Sequence, residues 1–202
     1  MAASDDSELA SLTFGDGPQV AVAVHGMTAS AMGWSVVARA LPGEWTLVAP
    51  DLRGRGRSAD LPGPYGLDRH ADDICTLVRG RGDKVVLVGH SLGAYAGLLA
   101  AAAHPDLFSR LVLIDGGLSM TLPAELDPDT VLDATLGPWI ERLRRTYSSE
   151  EEYLEVFRTH PALAETWGPD LEVYARYDIA GGPGAVRSRV AVEAVRQDGR
   201  EP

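Results

Sequence analysis

Lysine is almost missing from this 202-residue chain: of 18 basic residues only Lys84 is a lysine, and the rest are arginines. We read the bias as a property of the coding sequence rather than as a design for binding phosphate. Cysteine occurs once, as Cys75, which excludes an internal disulfide and any multi-cysteine metal site. Its place in DDICTLVRG, among apolar helical positions, marks a small buried filler. Positive charge is in deficit as well. The formal net charge is −11, so a phosphate backbone or an anionic membrane surface would be repelled, and neither nucleic acid nor membrane is an expected partner. No apolar run approaches the roughly 20 residues that span a bilayer. The opening MAASDDSELA is acidic and lacks the basic-then-apolar pattern of a secretion signal, which leaves a cytoplasmic location as the expectation. Neither a cofactor nor a metal is expected.

What the chain does have is the composition of an ordinary globular protein, with 45% apolar and 23% charged residues. Continuous apolar runs predict strands buried on both faces over 20–26, 45–54, 84–88 and 110–115. Apolar residues at helical spacing predict helices over 32–41, 67–80 and 92–103, the second capped by Asp68 and favoured by Asp72 and Asp73 near its start. Strands alternating with helices give a parallel α/β sheet with right-handed crossovers. After Gly117 the pattern changes. Helical stretches at 129–147 and 148–160, the latter with a capping box from Ser148 or Ser149 to Glu151 or Glu152, and a last helical piece at 186–198 predict a helical lid over 118–195. Residues 1–117 then form the sheet portion, and 196–202 are read as the start of a return segment.

The stretch KVVLVGHSLGAYAG carries the chemistry. Gly89-His90-Ser91-Leu92-Gly93 fits the G-x-S-x-G pattern in which a serine sits on a sharp strand-to-helix turn, here between an apolar strand and a helix rich in Ala and Gly. Attack by Ser91 Oγ on a carbonyl would create an oxyanion that needs two fixed N–H donors. The backbone N–H of Leu92 supplies one, and that of Met27, in the loop shaped by His25 and Gly26, is the simplest source of the other. The His25 imidazole is expected to be a structural hydrogen-bonding group. Arg53, Arg55 and Arg57 in DLRGRGRS lack the order of a P-loop and predict a solvated loop. The aromatic residues of the lid, Trp139, Tyr147, Tyr153, Phe157, Trp167, Tyr174 and Tyr177, are expected to pack it together, with some lining a cleft for an apolar acyl or alcohol group of a small-molecule substrate.

Three segments together, VHGMTASAMGW, PDLRGRGRS and LVGHSLGAYAGLLAAAAHPDLFSRLVLIDGG, resemble the α/β-hydrolase family over roughly residues 14–117. The resemblance implies a mostly parallel sheet with helices on both faces and a helical cap. It also implies hydrolysis of an ester, thioester or similar bond through an acyl-enzyme on Ser91, and a triad in the order serine, acid, histidine. Asp115, at the end of the strand 110–115, is a candidate acid. The base is the difficulty, because the five histidines are His25, His70, His90, His104 and His160, and none follows the cap. The expectation is a chain truncated before its last strands, which leaves an open apolar sheet edge prone to self-association or to pairing with a complementing chain. The alternative is a non-catalytic binding or regulatory module that keeps the pocket.

Overall fold

The computed structural model describes residues 8–81, 83–118 and 127–200. The first residues of MAASDDSELA and residues 119–126 of the expected lid lie outside them. Five strands form one sheet: β1 (Ser11–Phe14), β2 (Gln19–Val24), β3 (Trp45–Pro50), β4 (Val85–His90) and β5 (Phe108–Ile114), in the order β1-β3-β2-β4-β5. β1 runs antiparallel to β3, and the other neighbours are parallel. The four parallel strands are those predicted. β1 was not: SLTF is short and alternates between exposed and half-buried residues, as an edge strand with one wet face does.

Alternation along β2 explains the layers. Val22 and Val24 face a core built with α2 (Leu67–Arg79) and α3 (Leu92–Ala103). Ala21 and Ala23 face the other way, against Trp34 and the short helix α1 (Ser35–Ala40) with its preceding 3-10 turn. With successive side chains on opposite faces, small residues on one side let the 3-10 turn approach closely while branched residues fill the thicker side. Cys75 is buried in the first of these cores, and burial pushes its thiol up in pKa. Helix α2 begins differently from expectation. Its N-cap is Gly66, Asp68 only enters the first turn, and Asp73 is buried rather than set against the helix dipole.

Beyond β5 the described chain is α4 (Pro128–Arg144), α5 (Glu150–Arg158), α6 (Pro169–Tyr177), a hairpin of β6 (Ile179–Ala180) with β7 (Arg187–Ser188), and α7 (Val192–Asp198). The capping box at α5 is present. Ser149 Oγ accepts from the Glu152 N–H at 3.2 Å, while Glu152 Oε2 accepts from the Ser148 N–H at 2.7 Å. Helix α6 and the hairpin were not foreseen, and α7 runs through the 195/196 boundary. A buried polar knot holds these helices: Asp178 accepts from Arg142, Tyr153 and Ser188, and the Arg142 guanidinium lies 5.0 Å from the centre of the Phe157 ring. Burial, reinforced by Asp178, holds the Tyr153 phenol far above its ordinary pKa.

β5 pairs with β4 alone among the described strands, and Val112, Ile114 and Leu118 are exposed beside its open edge. No helix among the described residues is long and apolar enough to cross a membrane.

Removing the acceptor at the centre of the knot strands the buried Arg142 charge. Asp178→Ala is expected to destabilise the protein by roughly 3–5 kcal/mol in urea denaturation, with Arg142→Met in the same background recovering part of the loss.

Candidate functional site

Ser91 stands between β4 and α3 with φ 51° and ψ −119°, a backbone conformation that side chains rarely adopt. Such strain costs about 1–3 kcal/mol and persists only where the surroundings impose it. Here they do. The Ser91 N–H donates to Ile114 O at 3.0 Å, and Ser91 O accepts from Ala94 N–H at 2.8 Å. A side chain at Gly93 would run into the backbone of Val24 and His25, so α3 approaches β2 as closely as glycine permits. On the facing loop, a Cβ at Gly26 would come within 3.2 Å of Ser91 Cβ and 3.1 Å of His90 Nδ1. These contacts set the loop at Gly26 against the Ser91 turn, and the start of α3 against the end of β2.

The loop after β2 is held from beneath. His25 is 2% exposed; its Nδ1–H donates to Gly26 O at 2.8 Å, and its Nε2 accepts from Leu52 N–H at 3.0 Å. Gly26 O accepts from Ala29 N–H as well. In a trans peptide the N–H points opposite to the C=O, so these bonds turn the Met27 N–H the other way. Neither it nor the Leu92 N–H donates to an acceptor among the described residues. The next carbonyl, Met27 O, accepts from Arg55 Nε–H at 3.0 Å.

Arg55 is not in a solvated loop, as its sequence setting suggested. It is fully buried, and its Nη2 pairs with Asp198 at 2.5 Å. Asp198 Oδ1 also accepts from Gly66 N–H at 2.7 Å, and His70 Nε2 lies 3.1 Å from both carboxylate oxygens. Burial alone would raise the Asp198 carboxyl; His70 and Arg55 together hold it below the usual carboxylate range. Arg53 is buried likewise, bidentate to Asp73 at 2.9 and 3.0 Å. A third buried carboxylate, Asp51, accepts from Ala31 N–H at 2.8 Å, from Arg57 N–H at 2.9 Å and from the Tyr177 hydroxyl at 2.6 Å. The helical segment is therefore tied to the loops around Ser91 by two buried acids, Asp51 and Asp198. Asp198 and Arg55 escaped sequence reading because they lie 143 positions apart.

No imidazole is bonded to Ser91. His25 and His70 are engaged as described. His104 Nε2 accepts from Arg79 at 2.9 Å at the far end of α3. His160 stacks on Trp139 with ring centres 4.4 Å apart. His90 lines a cavity of about 390 Å³ together with His25, Gly26, Ser30, Trp34, Ile114 and Tyr174. Burial pushes the Tyr174 phenol up to about 12. Asp115 is exposed, with φ 49°, and bonds to no imidazole among the described residues.

Burial lowers the His25 pKa to about 4 from 6.5. Between those values the unfolded chain binds more protons at this position than the folded one, so stability rises with pH across that window and is lost on acidification. Urea midpoints measured from pH 7 to pH 4.5 are expected to fall, with a shallower fall in His25→Gln. Asp198→Ala, which leaves Arg55 buried and unpaired, is expected to cost roughly 3–5 kcal/mol at pH 7 by the same measurement.

This arrangement has counterparts among known proteins. A putative carbamate hydrolase, RutD, from Caulobacter segnis is 38% identical over 103 residues, 50% of this chain and 39% of its own length. N-formylmaleamate deformylase from Pseudomonas putida is 33% identical over 177 residues, covering 80% of this chain and 66% of its own. The match thus spans less than two thirds of either relative. The crystal structure of E-2-(acetamidomethylene)succinate hydrolase superposes with a TM-score of 0.76 at 26% identity over 95% of this chain and 68% of that one. The sequence model of the alpha/beta hydrolase family matches residues 21–198, and with the strained serine turn and the parallel sheet this places the chain in that family.

Proposed function

We propose that the chain carries the nucleophile and oxyanion site of a serine hydrolase that cleaves a carboxylic ester, thioester or similar bond in a small molecule. The observation that carries this reading is the conjunction of Ser91 at φ 51° with two backbone N–H groups, Leu92 and Met27, that have no acceptor among the described residues. Ser91 Oγ attacks the carbonyl carbon and loses its proton to a base, while the carbonyl electron pair moves onto oxygen and is met by the two N–H dipoles. Collapse of the tetrahedral species, with the base returning its proton to the leaving group, expels the alcohol or thiol and leaves an ester on Ser91, which water then cleaves to the carboxylic acid and free Ser91. The N-terminus of α3 favours the developing negative charge. Relatives named as a carbamate hydrolase and a deformylase support chemistry at a C(=O)–X bond.

The base is the open position in this reading. All five histidines lie among the described residues, and none is bonded to Ser91. We place the proton acceptor on polypeptide other than residues 8–200, seated on the open edge of β5, where exposed Val112 and Ile114 offer an apolar landing strip. Without that base an unassisted hydroxyl is a poor nucleophile at neutral pH. The same absence favours a second reading, a binding or regulatory module that retains the pocket and performs no chemistry. Asp115 remains a candidate for the acid only where such a base is brought beside it.

A fluorophosphonate separates the two readings. The hydrolase reading expects a single adduct on the Ser91 peptide by mass spectrometry, absent in Ser91→Ala, and slow ester turnover by the 202-residue chain. A folded protein that stays unmodified over many hours supports the binding module.

A further inference from the structure

We propose that Tyr177 is a positioning residue for the oxyanion site: through Asp51 its hydroxyl holds the loop that presents the Met27 N–H, so that this donor is in place only while α6 is docked. The proposal rests on the hydrolase reading and says how the helical segment serves that site. Three side chains on one face of α6 meet the segment after β2. Asp170 pairs with Arg39 of α1 at 2.6 Å, and Tyr174 lies over Gly33, where a Cβ would stand 3.6 Å from its ring. The Tyr177 hydroxyl donates to Asp51 Oδ2 at 2.6 Å. Positions 170, 174 and 177 follow the i, i+4, i+7 spacing that puts side chains in one stripe along a helix. The first of these ties is exposed on both sides, and exposed pairs are worth little. The last reaches a fully buried carboxylate.

Asp51 depends on that hydroxyl because the guanidinium groups of the adjoining loop are committed elsewhere: Arg53 to Asp73, Arg55 to Asp198, and Arg57 over the Tyr177 ring. Three neutral donors hold the carboxylate instead, the N–H of Ala31 at 2.8 Å, the N–H of Arg57 at 2.9 Å and the Tyr177 hydroxyl. A desolvated charge loses much for each donor withdrawn. The loop after β3 also closes on this group. A Cβ at Gly56 would stand 2.2 Å from Asp51 Cγ, so the carboxylate has little room to turn toward solvent. The Ala31 bond is the one that reaches the site. His25 and Arg55 fix the loop at its Gly26–Met27 end, and Asp51 fixes it at Ala31. Withdrawing the Tyr177 hydroxyl shifts the carboxylate off Ala31 and frees the far end of this short span, which carries the Met27 N–H with it. Oxyanion donors work by being fixed before charge develops.

Tyr177→Phe keeps the ring and removes the hydroxyl. In the 202-residue protein it is expected to speed hydrogen exchange of the amides of residues 27–31 by about tenfold or more, the loss of one hydrogen bond to a charged group. The amides of β4 and α3 are expected to exchange as before. With a fluorophosphonate, the maximal rate of Ser91 labelling is expected to fall roughly tenfold at an unchanged half-saturating concentration, short of the roughly hundredfold that outright loss of a donor costs. A merely structural role would lower the folded fraction and leave the labelling rate of the folded protein alone. Arg39→Gln, which loosens the same face of α6 without touching Asp51, is expected to change neither readout. Loop exchange unmoved by Tyr177→Phe overturns the proposal. So does faster exchange spread evenly over the protein, an equal effect of Arg39→Gln, or a loosened loop with labelling at the original rate. Exchange is read without chemistry at Ser91. A loop loosened by Tyr177→Phe in a protein that fluorophosphonate never labels therefore removes the hydrolase reading and leaves the tie between α6 and the loop standing, while labelled Ser91 with an unmoved loop removes this proposal alone.

Discussion

A buried ion pair ties the helical segment to the loop that faces Ser91. Asp198, at the end of α7, and Arg55, in the loop after β3, meet with no solvent access, and Arg55 passes the constraint on to the carbonyl of Met27. Two charges in a dry interior are stable only together and only with their remaining hydrogen-bonding capacity filled. Gly66 N–H and His70 fill that of Asp198, while Arg53 O and Met27 O fill that of Arg55. The loop that faces Ser91 therefore depends for its shape on residues at the opposite end of the chain.

A second constraint acts from the other side of the same loop. His25 accepts from Leu52 with one nitrogen and donates to Gly26 with the other, so it must stay neutral and in one tautomer to do both. Its lowered pKa follows from burial and keeps it neutral through the physiological range. Oxyanion stabilisation needs donors that are already in place before charge develops. Arg55 on the Met27 carbonyl and His25 on the Gly26 carbonyl fix the two peptide planes that flank Met27, which is how a loop acquires the rigidity of a strand.

The parallel sheet and the serine turn were legible because their signals are local. Continuous apolar runs marked β2 to β5, and helix 92–103 has the predicted limits because the serine turn starts it and His104-Pro105 stops it. Edge strand β1 and hairpin β6–β7 were missed, since four- and two-residue strands carry too little alternation to stand out. Helix α6 was missed between better-patterned neighbours. The misreadings of Arg53 and Arg55 share one cause. A charged residue in a Gly-rich loop looks solvated unless its partner is known; Arg53 finds Asp73 on α2, and Arg55 finds Asp198 at the end of the last helical piece. Pairing over 128 and 143 positions leaves no local trace.

The account stands on the claim that the Ser91 turn and the Met27 loop form one prearranged oxyanion site. A crystal structure of the phosphonate adduct addresses that most directly. The account predicts the phosphonyl oxygen at about 2.7–3.1 Å from both the Leu92 and Met27 nitrogens, with Ser91 still at positive φ and the Arg55–Met27 bond intact. An oxygen turned to solvent, or a Met27 loop rebuilt around the adduct, would contradict it.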